Sequence, residues 1–242
     1  MKNKKFRLFA GPNGSGKSTL IRQVSQNFNI GYFINADNIE QELNKKGYLD
    51  LENWVPGKPN SEDWQHFLTH SNDPRSIQYN LENFKISDNF LVSSEKINSY
   101  QAAFLAEFFR SLLVESNHTF SFETVMSHLS KIEFLKKAKK MGFTTYLYFI
   151  CTQDPSINQI RVQNRVVKGG HNVDSDKIVK RYHASLELLS DAFTIADRAY
   201  VIDSSNENRN VILEKKNKSL EIHSNNIPDW VEVHLLNKLR LA

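Results

Sequence analysis

The feature that most constrains the fold of this chain is a glycine-rich segment near its N-terminus, residues 11–18, which reads GPNGSGKS. It fits the pattern G-x-x-x-x-G-K-[ST], in which backbone N–H groups surround phosphate oxygens and a lysine reaches the terminal phosphates. The apolar residues 6–10 before it predict a buried strand, and residues 19–24 after it predict the first turns of a helix. A strand, a glycine loop and a helix in this order predict a nucleoside triphosphate site at the N-terminus of the helix.

Each part of this loop has an expected role. Lys17 is expected to contact the β- and γ-phosphates, and the hydroxyl of Ser18 is expected to bind Mg²⁺. The whole loop is expected to hold the nucleotide, through Gly11, Pro12, Asn13, Gly14, Ser15, Gly16, Lys17, Ser18 and Thr19.

Composition restricts the class of protein. The chain has 242 residues, of which 40% are hydrophobic and 24% are charged, as expected for one α/β domain with a small addition. No apolar run approaches the roughly 20 residues that a membrane span needs. The single cysteine, Cys151, excludes a disulfide framework and follows an apolar run, which predicts a buried structural thiol. We therefore expect a cytoplasmic protein.

The charge permits a nucleic-acid ligand without favouring one. The net charge is +4, and the densest basic run, residues 131–140, lies on a predicted helix whose other face is apolar. Lysines in the C-terminal half of a helix are typical of a solvated face, and no RNA-recognition signature accompanies them.

Strand and helix patterns alternate along the chain, which predicts a parallel sheet with helices on both faces. Residues 47–98 interrupt this alternation with prolines and aromatic residues, and they predict an ordered, helical insertion. Residues 206–242 predict a hairpin followed by a terminal helix.

Two carboxylates follow predicted strands, at the edge of a parallel sheet where ligands bind. Asp37 could accept the proton of an attacking hydroxyl, or it could only cap the helix that begins there. Glu123 could hold the hydroxyls of an acceptor or orient a Mg²⁺-bound water, or it could cap the next helix. The sequence pattern alone leaves both alternatives open.

Residues 161–182 predict a small lid over the phosphates. Arg161 and Arg165 are four residues apart and therefore share one helix face; a Gly-Gly loop and a second helix carrying Arg181 follow. Such a lid brings arginines to a transferred phosphoryl group. The alternative is an ordinary solvated helix. His171 has no partners at metal-ligand spacing, so we interpret it as a loop or substrate contact.

Four motifs in this order resemble those of the zeta-toxin-like P-loop kinases. They are GPNGSGKST at residues 11–19, NAD at 35–37, FET at 122–124, and GGHNV at 169–173 continuing to Arg181 and Tyr182. The resemblance covers residues 5–203 apart from the insertion. It implies a P-loop NTPase fold of the nucleoside- and adenylate-kinase-like type, with ATP and Mg²⁺ as cofactors and a hydroxyl group as phosphoryl acceptor. In the characterised toxins the hydroxyl belongs to the sugar of UDP-N-acetylglucosamine, and a small antitoxin protein neutralises the toxin.

The resemblance also implies roles for single residues. Asp37 would be the general base, Glu123 with the adjacent Thr124 would contact the acceptor, and Arg161 or Arg165 would meet the phosphates. Further substrate contacts would come from His171 and Arg181. The segment after Glu123 lacks the glycine-rich stretch ending in arginine that the toxins carry, and with the Gly-Gly-His motif it resembles a broader branch of the family.

Two other classes of function remain open from the sequence. One is a nucleotide-dependent switch or binding module whose insertion contacts a protein partner. The other is an RNA- or nucleoside-directed kinase, which the basic charge would suit.

Overall fold

The computed structural model describes residues 4–71, 79, 81–170 and 172–241 of the chain. The strands are β1 (Lys5–Ala10), β2 (Tyr32–Ile34), β3 (Tyr48–Asp50), β4 (Phe84–Ser87), β5 (Phe90–Ser93), β6 (Phe120–Thr124), β7 (Thr144–Cys151), β8 (Arg198–Asp203), β9 (Asn210–Lys216) and β10 (Ser219–Ile222). The α-helices are α1 (Lys17–Asn27), α2 (Ala36–Lys46), α3 (Ser61–His70), α4 (Ser99–Glu115), α5 (Ser130–Lys140), α6 (Pro155–Val167), α7 (Ser175–Glu187), α8 (Leu189–Ile195), α9 (Asp229–Val231) and α10 (Asn237–Arg240).

The chain divides into two compact units. The first comprises Met1–Ile30 with Ser121–Ala242, and the second comprises Gly31–Phe120. No helix in the described part of the chain is long and apolar enough to cross a membrane.

The first unit is built around one sheet, whose strands follow the order β10-β9-β8-β7-β1-β6. Strand β7 pairs in parallel with both β1 and β8, and every residue of β7 after the first is buried. Such a continuous apolar run is typical of a central parallel strand, which side chains cover on both faces. The hairpin β9-β10 extends the sheet in antiparallel pairing beyond β8. The predicted α/β fold, with a mostly parallel sheet flanked by helices, is therefore confirmed.

Aromatic packing fixes helix α5 against this sheet. The ring centroids of Phe6 and Phe122 lie 5.2 Å apart, and Phe134 of α5 lies 5.5 Å from Phe6 and 5.3 Å from Phe122. Because β1 and β6 each contribute one of these rings, the strand that precedes the glycine loop and the strand that carries Glu123 share one core.

The second unit contains the segment between residues 47 and 98. Its described residues include helix α3, together with a small antiparallel sheet of order β3-β5-β4 that the sequence pattern did not reveal. These strands have only three or four residues each, too few for an alternating pattern to show. Trp64 of α3 is the centre of the core here, and four phenylalanine rings lie within 6.1 Å of it: Phe67, Phe84, Phe104 and Phe108.

Candidate nucleotide-binding site

The glycine loop joins β1 to α1, and its backbone explains why glycines stand there. Gly11, Gly14 and Gly16 have φ angles of 141°, 75° and 92°, in the region that favours glycine. A Cβ on Gly11 would overlap the backbone carbonyl of Ile150, and one on Gly14 would lie 2.6 Å from the carbonyl oxygen of Asn158. The loop is therefore packed against β7 and α6 with no room for side chains at these points.

Two side chains hold carbonyl oxygens of the loop. The amide Nδ2 of Asn158 donates to the Asn13 carbonyl at 2.6 Å, and the hydroxyl of Ser204 donates to the Ser15 carbonyl at 2.7 Å. In a trans peptide the next N–H points to the opposite side, so these bonds orient the N–H groups of Gly14 and Gly16. Neither N–H group donates to a described residue. The structure thus supplies two oriented donors suited to phosphate oxygens.

Replacing Asn158 with alanine is expected to weaken the loop. The side chain is fully buried and also accepts a hydrogen bond from the Thr152 hydroxyl, so its loss leaves the Asn13 carbonyl and the Thr152 hydroxyl each without one partner. We expect the free energy of unfolding to fall by about 1–3 kcal/mol. Chemical denaturation measures this free energy. Gln159→Ala is the control, because the hydrogen bond that the Gln159 side chain donates to Ser175 is exposed to solvent. Equal losses in the two variants would contradict the role given to Asn158.

Lys17 lies at the base of the site. It is buried, and its Nζ donates to the carbonyl oxygens of Gly11 and Pro12, at 2.9 Å each. A carboxylate oxygen of Glu123 lies 3.9 Å from the same Nζ, and the Glu123 side chain is only 16% exposed. The structure therefore brings together two of the predicted site residues, the loop lysine and the carboxylate at the end of β6.

The start of helix α1 is suited to an anion. Gly16 is its N-cap, and the first turn carries no acidic residue, so the positive end of the helix dipole is not neutralised there. Ser18 and Thr19 lie on this turn and are exposed. Their hydroxyls are accessible from solvent, as a metal or phosphate contact requires.

Asp37 does not cap its helix. The cap of α2 is Asn35, whose Oδ1 accepts hydrogen bonds from the N–H groups of Asp37 and Asn38 at 2.8 and 3.2 Å. The alternative in which Asp37 serves only as the cap is therefore wrong, because an asparagine two residues earlier already satisfies these donors. The Asp37 side chain is exposed. It belongs to the second unit and Lys17 to the first, so its approach to the phosphates stays a prediction.

Glu123 does not cap the next helix either. The N-cap of α5 is Leu129, whose side chain makes no cap hydrogen bond. The neighbouring Thr124 holds the turn after β6, because its hydroxyl accepts from the N–H of Met126 at 3.0 Å, where Met126 has a φ of 56°. That Glu123 and Thr124 contact an acceptor stays a prediction.

The predicted lid arginines lie in different surroundings. Arg161 is half-buried, and its Nη2 donates to the carbonyl oxygen of Ser204 at 2.7 Å, beside the glycine loop. Arg165 is exposed near the C-terminal end of α6, where a Cβ on Gly170 would lie 2.5 Å from its Cγ. Arg181 of α7 is half-buried. The phosphate contacts of Arg165 and Arg181 and the movement of a lid stay predictions, and His171 lies outside the described residues.

Helices α6 and α7 are attached to the sheet close to the loop. The hydroxyl of Tyr182 donates to the Thr152 carbonyl at 2.7 Å, and burial raises the pKa of Tyr182 above its usual range.

Cys151, just before Thr152, is fully buried, and burial raises its pKa to about 12. The prediction that this thiol is buried is confirmed.

Arg209 is a functional candidate that the sequence did not reveal. It lies in the loop between β8 and β9, and its Nη1 donates to Oε1 of Gln23 on α1 at 2.9 Å. Burial lowers the pKa of Arg209, and the positive charge of Arg161 lowers it further. No motif marks Arg209, whereas Ser204 could have been found because it follows β8 at the sheet edge where ligands bind.

Solved structures share this fold. A structure of AvrRxo1-ORF1:AvrRxo1-ORF2 with sulphate ions matches at 12% identity and a TM-score of 0.57, covering 91% of this chain and 61% of that one. A structure of the same complex with ATP matches at 10% identity and a TM-score of 0.54, with the same coverage. A structure of the PezAT chromosomal toxin-antitoxin system of Streptococcus pneumoniae matches at 13% identity and a TM-score of 0.53, covering 98% and 80% of the two chains.

The chain thus spans about three fifths of the length of the AvrRxo1 chain that it matches. No family model and no curated protein matches the sequence. At these low identities the structural matches show a shared fold.

Proposed function

We propose that this chain is a kinase that transfers the γ-phosphoryl group of ATP to a hydroxyl of a small molecule. The observation that carries the proposal is the glycine loop, in which Asn158 and Ser204 orient the backbone donors and Lys17 lies at the base. One structure of the same fold was solved with ATP, which supports the choice of nucleotide.

In this proposal each group has one task. Lys17 and Arg161 neutralise the charge on the phosphates, and Asp37 accepts the proton as the acceptor oxygen bonds to the γ-phosphorus and ADP leaves. Mg²⁺ fits the exposed hydroxyl of Ser18, because this ion prefers oxygen ligands and completes its shell with phosphate oxygens and water. The bound ion would neutralise charge on the β- and γ-phosphates.

The acceptor proposed is a sugar nucleotide of the UDP-N-acetylglucosamine type, and the proposed partner is a small antitoxin protein. The resemblance in the sequence motifs supports the acceptor. The partner is supported by two structures of the same fold, one of a toxin-antitoxin system and one of a two-protein complex.

The test is ³¹P NMR of the protein with ATP and Mg²⁺, with and without UDP-N-acetylglucosamine. We expect a new phosphomonoester signal, and ADP signals of equal intensity, only when the sugar nucleotide is present. ADP and inorganic phosphate without a phosphomonoester would contradict transfer to this acceptor. Intact ATP with a panel of sugars, nucleosides and RNA 5′-hydroxyl ends would contradict the kinase itself.

A second candidate is a nucleotide-dependent switch that binds a protein partner. It is favoured by the outer face of the small sheet, where Tyr48, Phe90 and Val92 are each at least 40% exposed and the first two rings lie 5.5 Å apart. Exposed apolar clusters of this kind mark interaction surfaces. A switch would hold ATP in the NMR experiment without forming a phosphomonoester.

A further inference from the structure

We propose that Arg209 and Arg161 form a two-guanidinium site that binds the phosphate chain of the nucleotide beside the glycine loop. The inference rests on the proposed function. It adds Arg209 to the site, a residue that neither the motif nor the resemblance to known kinases marks.

The position of Arg209 carries the first step. Its guanidinium packs against Gly16, where a Cβ would lie 3.4 Å from Nη2 and 3.5 Å from Nε. Gly16 is the N-cap of α1 and the last glycine of the loop. The bond from Nη1 to Gln23 holds the planar group along the start of the helix. Nη2 and Nε are therefore held beside Gly16.

The charges carry the second step. Arg161 and Arg209 lie beside neighbouring residues of the glycine loop, because Ser204, which Arg161 contacts, donates to the Ser15 carbonyl and Arg209 packs against Gly16. Neither arginine forms an ion pair with a carboxylate among the described residues. Arg161 bonds to the carbonyl of Ser204, and Arg209 bonds to the amide of Gln23, so both of these partners are neutral. Two half-buried like charges without acidic partners are costly unless an anion lies near both.

The ligand that fits is a polyphosphate. A guanidinium binds phosphate oxygens with two parallel N–H bonds, and a helix N-terminus without acidic residues adds to the attraction. Arg209 comes from the β8–β9 loop, whereas Lys17 belongs to α1 and Arg161 to α6. Binding by Arg209 therefore does not displace the other two residues. The site therefore has cations on three separate elements.

The test measures the binding of ATP and of inorganic tripolyphosphate by isothermal titration calorimetry. Arg209→Gln is expected to weaken the binding of both ligands by about 10- to 100-fold, the usual effect of losing hydrogen bonds to a charged group. Arg209→Lys keeps the positive charge but not the planar guanidinium group, so its loss of affinity should be smaller. Arg22→Gln is the matched control, because Arg22 is an exposed arginine of α1, and it should change both affinities by no more than about twofold.

Three results would overturn the inference. Equal losses in Arg209→Gln and Arg22→Gln would show only a general effect of charge. A loss for ATP without a loss for tripolyphosphate would assign Arg209 to the base or the sugar. Unchanged affinities in Arg209→Gln would remove the residue from the site. If the unaltered protein bound neither ligand, the proposed function would fail as well, and that result differs from the other three.

Discussion

Lys17→Ala is expected to lower kcat/KM for phosphoryl transfer by about a thousandfold or more. In such reactions most of the rate comes from charges placed around the transferred group, and removing one well-placed donor costs about 10²- to 10³-fold. Lys17 combines this role with a structural one, because its Nζ bonds to the carbonyls of Gly11 and Pro12 and lies 3.9 Å from Glu123. Its loss therefore removes a charge and two contacts that shape the loop.

The measurement has to separate catalysis from folding. Lys140→Ala is the matched control, because Lys140 is an exposed lysine of α5 outside the predicted lid and its loss should leave kcat/KM within about twofold. The thermal midpoint of each variant shows whether Lys17→Ala is folded. Lys17→Arg keeps the positive charge next to Glu123 and is the second variant, should the alanine protein prove unstable. A folded Lys17→Ala protein with normal turnover would contradict the proposed site.

The sequence was most informative where one local pattern determines the structure. The loop at residues 11–18 was predicted with its flanking strand and helix, because the glycines, the lysine and the apolar run all specify the same geometry. The apolar run noted before Cys151 forms most of strand β7, in which every residue after the first is buried. A helix carrying Arg161 and Arg165 and followed by a Gly-Gly loop was predicted, and α6 ends at Val167, before that loop.

The sequence was least informative where a contact joins distant segments. Asn158 contacts a loop residue that is 145 positions away in the sequence, and Ser204 contacts one that is 189 positions away. A pattern of neighbouring residues does not predict such pairs. Arg209 is one of many surface-type residues until the loop after β8 brings it to Gly16. The cap of α2 was misplaced for a different reason: Asn35 and Asp37 are both good cap residues, and only the backbone distinguishes them.

The role of Asp37 as the general base can be tested without disturbing the N-cap of α2. Because Asn35 caps α2, Asp37→Asn removes a charge without removing the cap, and the stability cost should be no more than about 1 kcal/mol from the helix dipole. If Asp37 accepts the proton of the acceptor, we expect kcat to fall by about 10²- to 10⁴-fold. The affinity for ATP should stay within about threefold, since in this proposal the phosphates are held by the glycine loop and the arginines.

The experiment combines single-turnover transfer from ATP with calorimetry of ATP binding. Asn38→Ala is the matched control, because Asn38 is the next exposed residue on the same turn, and it should leave both quantities unchanged. Asn35→Ala should instead lower the free energy of unfolding by about 0.5–2 kcal/mol and largely retain phosphoryl transfer. Normal transfer by Asp37→Asn would exclude Asp37 as the base. Transfer absent from the unaltered protein, with tight ATP binding, would favour the switch.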